Sequence, residues 1–386
     1  MKKIVVAIFY LIGINLFLPT LAIGNFQLTI PDIQSEAVIV VEGNSGKVFY
    51  QKNSSQSMYP ASLTKIATAI YAIEKSNLED QTIVSLNATQ VDGTRVYLEE
   101  GEEITLKKLV QGLLINSGND AGIAIAEHMG GSVEKFAEKL NEYLINEVGL
   151  QNTNFKNPHG LFDKDHITTA EDLAILTQYA MQNKVFQNIF STKELEWKGQ
   201  DWETTLYTHH KLMREDPYTG ITGGKTGYVD QSGQTLVTTA QRDNLNIIVV
   251  TLNASSKRDI YNDTKQLLDY AFEHFETRVI PEGKVIIKNK NEFKVPQDIY
   301  YTTEKGEETV QNISEDGKFE ILSSNQELLK TIQLDKVERE QQNKGLSSTI
   351  EKKEQNNYFS SNLTAIPVIL TLAVLTLYYR RIKRYG

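Results

Sequence analysis

Ser62-Leu63-Thr64-Lys65 is the segment of this chain whose residue types and spacing best suit chemistry. It lies just inside a helix that Pro60 starts, at the first-turn position where a missing N–H costs nothing. An S-x-x-K spacing on a helix sets both side chains on one face, about one turn apart. That lets an amine reach a hydroxyl. A serine hydroxyl becomes a nucleophile when a nearby base takes its proton. A lysine can be that base if burial and neighbouring positive charge lower its pKa. The first N–H groups of a helix are unpaired and partially positive, so the Ser62 N–H is available to an oxyanion. A second S-x-x-K, from Ser132 to Lys135, reads as an ordinary helix start with Ser132 as N-cap.

Two further motifs follow. Ser117-Gly118-Asn119 interrupts two apolar helical stretches. A polar break inside buried sequence faces a cavity or is fully hydrogen-bonded; a helix–helix turn capped by Asp120 also fits. Lys225-Thr226-Gly227, preceded by Gly223-Gly224, falls in a strand. A strand bare of side chains lets another backbone approach closely, and an extended peptide could add itself there. Lys225 and the Thr226 hydroxyl would hold a carboxylate, whereas a plain glycine-rich hairpin edge is the structural alternative. The six histidines form no comparable group: His209 and His210 are adjacent and diverge in a strand, and neither G-x-S-x-G nor H-E-x-x-H occurs. No metal or other cofactor is expected.

The elements that must position these motifs are legible as patterns. Residues 37–42 and 47–52 read as two strands of a hairpin turning at Asn44-Ser45-Gly46. Helical periodicity runs over 61–74, 106–114, 121–129, 132–148 (ending at Gly149) and 169–182. Strands are expected at 220–229, 234–239 and 246–253, and a helix at 263–275 with Leu267, Leu268, Ala271, Phe272 and Phe275 on one face. Strands at both ends with helices between them describe an α+β domain whose N-terminal hairpin joins the later strands in one antiparallel sheet. Short strand-like runs at 284–287, 293–295, 319–321 and 331–334 read as a small β domain.

The ends set the compartment. A basic start, an apolar run over 4–18 and small residues near Ala22–Gly24 describe a secretory signal, with an uncleaved anchor as the alternative. A second apolar segment, 363–379, has aromatics at both ends and is followed by Arg380, Arg381, Lys383 and Arg384. This reads as a transmembrane helix, with a cytoplasmic tail by the positive-inside rule; a helix lying at the membrane interface is the alternative. No L-P-x-T-G precedes it. The net charge of −9 argues against nucleic acid as a partner. Between the ends, residues 25–357 carry 34 bases against 49 acids. With no cysteine, disulfides, thiolate metal sites and cysteine nucleophiles are excluded. The expected division is a signal at 1–24, a catalytic domain at 25–275, a small β domain at 276–335, a stalk at 336–362, a membrane span at 363–379 and a tail at 380–386.

S-x-x-K, S-x-N and K-T-G, in that order, resemble the signature of penicillin-binding proteins and serine β-lactamases. The surrounding words resemble the low-molecular-mass D-alanyl-D-alanine carboxypeptidases: Tyr59-Pro60-Ala61-Ser62-Leu63-Thr64-Lys65, Leu114-Ile115-Asn116-Ser117-Gly118-Asn119-Asp120-Ala121, Asn157-Pro158-His159-Gly160-Leu161, Thr168-Thr169-Ala170-Glu171-Asp172-Leu173-Ala174 and Gly223-Gly224-Lys225-Thr226-Gly227-Tyr228. The resemblance covers roughly residues 28–275. It implies a five-stranded antiparallel sheet with helices, followed by a small all-β domain. It implies that Ser62 attacks the carbonyl between two terminal D-alanines of a peptidoglycan stem peptide and that Lys65 takes its proton. Ser117 and Asn119 would relay protons and orient the peptide. Lys225, Thr226 and Gly227 would bind the terminal residue, and the N–H groups of Ser62 and Tyr228 would form the oxyanion hole. Arg258, about two residues early for an arginine often found before the last helix, would be a candidate for the substrate carboxylate. β-Lactam antibiotics would be covalent inhibitors. A serine β-lactamase shares the motifs, but the glycine of Ser117-Gly118-Asn119 and the long C-terminal half favour the carboxypeptidase. A non-catalytic wall-binding protein of the same fold has no use for intact Ser62, Lys65, Ser117 and Lys225.

Overall fold

The run 37–42 is apolar at both parities, which suits a strand covered on both faces. The computed structural model, in which residues 31–337 are described, places it there. In chain order come β1 (Ala37–Glu42), β2 (Val48–Lys52), α1 (Thr64–Lys75), β3 (Gln81–Ile83), α2 (Leu86–Thr89), β4 (Glu103–Thr105), α3 (Leu106–Ile115), α4 (Asn119–Gly130), α5 (Val133–Tyr143), α6 (Ala170–Ala180) and α7 (Lys184–Phe190). Then follow β5 (Glu194–Lys198), β6 (Glu203–Tyr207), β7 (Ile221–Val229), β8 (Gly233–Arg242), β9 (Leu245–Ala254) and α8 (Lys257–His274). Five strands form one sheet in the order β2-β1-β9-β8-β7, antiparallel throughout. The N-terminal hairpin thus joins the later strands through β1 and β9, as the sequence implies.

Alternate residues of these strands enter two cores. Ile39 and Val41 of β1 with Ile248 and Val250 of β9 pack among the helices α1 to α7. Val38 and Val40 with Ile247 and Val249 meet Leu267, Leu268, Ala271 and Phe272 of α8 on the other side. The sheet is therefore clamped between a helical layer and one long helix. At roughly 0.8 kcal/mol per buried CH2, this two-sided burial holds the central strands β1 and β9, and β7 is attached to them through its pairing with β8.

Local sequence explains where the elements begin. Ser132 caps α5, its hydroxyl accepting from Lys135 N at 3.3 Å, so the second S-x-x-K is structural. The π-helical turn 144–148 after α5 ends at Gly149, whose φ of +87° suits glycine alone. Asn119 is already the first residue of α4, so the polar break is shorter than the pattern suggests. α8 begins at Lys257, well before the expected start at 263, because the Ser256 hydroxyl accepts from Asp259 N at 3.1 Å. The β5–β6 hairpin is not among the expected strands, although β5 alternates charged and apolar residues as a half-buried strand does.

After α8 the chain is all β. β10 (Phe275–Ile280), β11 (Val285–Lys288), β12 (Asn291–Lys294), β13 (Ile299–Glu304), β14 (Val310–Ile313), β15 (Lys318–Leu322), β16 (Leu328–Gln333) and β17 (Asp335–Lys336) form small antiparallel sheets. Each expected run corresponds to one of these strands; β10, β13, β14 and β17 are additional. Phe293, Val295, Phe319 and Ile321 centre a separate apolar cluster. Lys47 Nζ donates to Thr302 O at 3.2 Å, and Lys305 Nζ to Phe272 O at 2.7 Å, tying this region to the first. Among the described residues no helix is long and apolar enough to cross a membrane. The expected signal at 1–24 and the apolar segment at 363–379 lie outside the described residues.

Because the two regions bury separate cores, Phe293→Ala should cost about 3–5 kcal/mol within the second one only. Hydrogen exchange should show β11, β12 and β15 losing protection while β1 and β9 keep theirs; an equal loss in β1 and β9 would show one cooperative unit instead.

Candidate active site

Pro60 leads into a single 3-10 turn, Ala61–Leu63, that runs directly into α1. Ala61 sits at φ +49°, a left-handed conformation that costs a non-glycine residue about 1–3 kcal/mol. Its surroundings hold it there. A Cβ on Gly160 would collide with the Ala61 carbonyl, so only glycine fits at that approach. Thr64 Oγ1 donates to Ala61 O at 2.8 Å, and Thr235 Oγ1 donates to Pro60 O at 3.0 Å. The kink presents Ser62 half-buried at a cleft while its neighbours Ala61 and Leu63 are fully buried.

Lys65 is wholly buried and its amine has three partners. Nζ lies 2.9 Å from Ser62 Oγ, and it donates to Asn119 Oδ1 and to His159 O, each at 2.7 Å. Burial, and then the nearby charge of Lys225, hold this amine well below the ordinary lysine range; Asp120 pulls the other way and loses. The Asn119 amide is fixed because its Nδ2 donates to Asp92 O at 2.6 Å, which turns Oδ1 toward the lysine. Asn119 therefore orients Lys65.

Ser117 and Lys225 make a second hydroxyl–amine pair, Nζ donating to Ser117 Oγ at 2.9 Å. Ser117 also sits at a positive φ, +65°, at the turn between α3 and α4. Lys225 is 3% exposed, and burial pulls its amine down to about 7. Asp120, the alternative cap, is buried too and accepts from Val96 N at 3.0 Å, Leu98 N at 3.2 Å and Ala121 N at 2.9 Å. It builds the loop that forms one wall of the cleft.

The opposite wall is β7, an edge strand of the sheet. Its glycines are explained by this chain's own side chains and backbone. A Cβ on Gly224 would run into the His210 ring, and one on Gly227 would stand 2.8 Å from Ser62 N. The absent side chain at Gly227 lets the strand draw up beside the Ser62 N–H. Between the walls lies a cavity of about 310 Å³ bordered by Ser62, Ser117, Thr226, Gly227 and Tyr228. All the motif residues from Ser62 to Tyr228 thus converge.

Arg258 does not join them. Its side chain is 83% exposed, pairs with Asp259 at 3.5 Å and does not border the cavity. The residue that does is Lys257, together with His209, Lys211 and Tyr261. Adjacent residues on a helix point about 100° apart, so a one-residue offset replaces an inward cation by an outward one. These four, and His159 and His166 beneath α1, were not singled out from the sequence. The signal that points to Lys257 is Ser256 just before it, an N-cap residue type that accepts from the N–H of Asp259 and starts the helix there.

Comparison with known proteins agrees with this geometry. Residues 25–256 match the family model described as D-alanyl-D-alanine carboxypeptidase. The D-alanyl-D-alanine carboxypeptidase DacF of Bacillus subtilis (strain 168) is 32% identical over 290 residues, covering 71% of this chain and 74% of that protein. DacC of Escherichia coli (strain K12), of the same description, is 31% identical over 274 residues, covering 68% and 67%. The crystal structure of penicillin binding protein 5 from Haemophilus influenzae superposes with a TM-score of 0.69 at 26% identity, over 80% of this chain and 98% of that one.

The buried Lys225 makes stability depend on pH. Its folded value of about 7 lies below the 10.5 of an exposed lysine. Between those values the unfolded chain binds more protons, so stability rises with pH across that window; below it both states hold the proton, the cost of burying the charge is at its full value and this group adds no pH dependence. Lys65, shifted the same way, adds to the rise. Lys225→Met should remove one lysine's share, at most about 1.4 kcal/mol per pH unit. Urea titrations across the window would measure it, and an unchanged slope would mean that Lys225 stays charged when folded.

Proposed function

The chain belongs to the D-alanyl-D-alanine carboxypeptidase family, and from that premise we propose that it removes the terminal D-alanine from peptidoglycan stem pentapeptides through an acyl-enzyme on Ser62. The observation that carries this reading is the set of contacts around the Lys65 amine. A neutral amine has two N–H groups and one lone pair. With two carbonyls taking the N–H groups at 2.7 Å, the lone pair is left for the Ser62 hydroxyl at 2.9 Å. Lys65 accepts the Ser62 proton as Oγ attacks the penultimate D-alanine carbonyl.

Charge then develops on the carbonyl oxygen, beside the Ser62 and Tyr228 N–H groups. Each donor of such a hole contributes on the order of 3 kcal/mol in comparable sites. Ser117 and Lys225 supply a proton to the departing D-alanine amine. Lys225 and Thr226, with Lys257 at the rim, hold the terminal carboxylate, and water then releases the acyl group. The same steps open a β-lactam ring, whose leaving nitrogen stays tethered, so penicillin acylates Ser62 as well.

The ends of the sequence support an exported protein held by a C-terminal membrane span with the catalytic region outside. The apolar segment at 363–379 followed by four bases is the basis for the anchor. The separate apolar cluster after α8 supports a small β domain at 276–335. Protease applied to sealed protoplasts should shed the catalytic region and leave the tail; protection of the whole chain would exclude this orientation.

The activity is tested by D-alanine release from a pentapeptide and by mapping labelled penicillin. Ser62→Ala and Lys65→Ala should each lower release by at least about a thousandfold without unfolding. Label on any residue but Ser62 would overturn the assignment. In the same assay Lys257→Ala should raise KM roughly tenfold, the effect of about 1.4 kcal/mol, while Arg258→Ala leaves it unchanged. The reverse pattern would restore Arg258 to the carboxylate.

A further inference from the structure

We propose that Thr64 and His166 are positioning residues that aim the Ser62 N–H into the cleft by anchoring the carbonyl on the other side of the same peptide bond. This rests on the reading of Ser62 as the acylated nucleophile.

The peptide unit joining Ala61 to Ser62 is planar, and in a trans unit the C=O and N–H point in opposite directions. No cis peptide bond occurs among the described residues. Whatever fixes the Ala61 carbonyl therefore fixes the Ser62 N–H. That N–H lies beside Gly227, where even a Cβ would come within 2.8 Å of the nitrogen. A small rotation of the plane would carry the N–H away from the oxyanion.

The Thr64 backbone N–H also reaches this carbonyl, and beside it a side-chain hydrogen-bond chain with a single sense holds the Ala61 oxygen. Lys156 N donates to His166 Nδ1 at 3.0 Å, so that nitrogen is unprotonated. Burial keeps the ring neutral, its pKa pushed down to about 3, and the proton sits on Nε2. Nε2 lies 2.8 Å from Thr64 Oγ1 and donates to it. Thr64 then turns its own proton onto Ala61 O at 2.8 Å. Reversing the chain would leave the carbonyl facing a lone pair.

The chain is closed to water. Thr64 is fully buried and His166 is 2% exposed, with Phe155 stacked on the imidazole at 4.9 Å. Gly160 packs against the same carbonyl and leaves it no room to swing. A threonine near a helix start often bonds a carbonyl of the preceding turn. Here the carbonyl it takes belongs to a residue at φ +49°, a conformation that needs outside support.

Stopped-flow acylation by a fluorescent penicillin, on the full chain, separates the dissociation constant of the first complex from the first-order acylation constant. Thr64→Val removes the hydroxyl at constant shape. It should lower the first-order constant at least about tenfold, less than loss of an oxyanion donor outright, and leave the dissociation constant unchanged. Thr64→Ser should restore the rate, and His166→Phe, which keeps the stack on Phe155, should match Thr64→Val. A wild-type first-order constant in Thr64→Val overturns the inference. So does a loss confined to the dissociation constant, or one that Thr64→Ser fails to rescue. If Thr64→Val does not fold, His166→Phe decides by the same criteria. If the unsubstituted protein is not labelled on Ser62, the premise falls, and the inference with it.

Discussion

A lysine amine held without a counter-ion is the constraint on which this site depends. Transferring an ammonium group from water into a protein interior is costly, so a buried lysine with no carboxylate partner gives up its proton. Lys65 meets that condition while keeping every hydrogen-bonding position occupied. Its two carbonyl partners come from distant parts of the chain, the first residue of α4 and the loop before α6. The Asn119 carbonyl faces it only because the amide nitrogen is engaged by Asp92. The helical layer thus exists, from the standpoint of the site, to bring a side-chain carbonyl and a backbone carbonyl to one nitrogen.

Close approach of backbone to backbone is the second requirement, and it explains the glycines better than flexibility does. Gly160 and Gly227 face the peptide unit before Ser62 from different sides, one against the Ala61 carbonyl and one against the Ser62 nitrogen. Neither tolerates a Cβ. The sheet supplies the stiffness this arrangement needs, since β7 is paired along its length to β8 and the sheet is packed on both faces. Among the described residues its other edge is unpaired. An edge strand with open N–H and C=O groups can receive an extended peptide, as the motif reading anticipated for Lys225-Thr226-Gly227.

The three motifs and the order of the main strands could be read from the chain because each leaves a local mark: a proline before S-x-x-K, a polar break between apolar helices, glycines in a strand. What could not be read depends on rotation and on distant partners. Arg258 and Lys257 differ by one position, and only the true helix start, set by the Ser256 cap, tells which of them turns inward. His166 looks like a loop histidine in sequence, yet folding buries it under α1 by way of Phe155 and Lys156. β5 alternates charged and apolar residues over too short a run to stand out, β6 does not alternate, and Trp197 buries against Gly112 of α3, a contact no local pattern announces. In the β region the missed strands β10 and β13 pair with each other across a long separation, which is where periodicity says least.

The buried acid closest to this machinery shows how finely the charges are divided. Asp120 raises the pKa of Lys65, so a direct pair between them would keep the amine protonated and useless as a base. The fold instead spends the Asp120 carboxylate on the N–H groups of Val96, Leu98 and Ala121. Those bonds favour its charged form while burial pushes the other way and prevails. Its field is thereby partly absorbed by the loop it organises. Lys225 completes the balance, since a second buried amine beside the first lowers Lys65 further. One carboxylate tied to backbone and two lysines tied to hydroxyls leave a base where an ion pair would otherwise form.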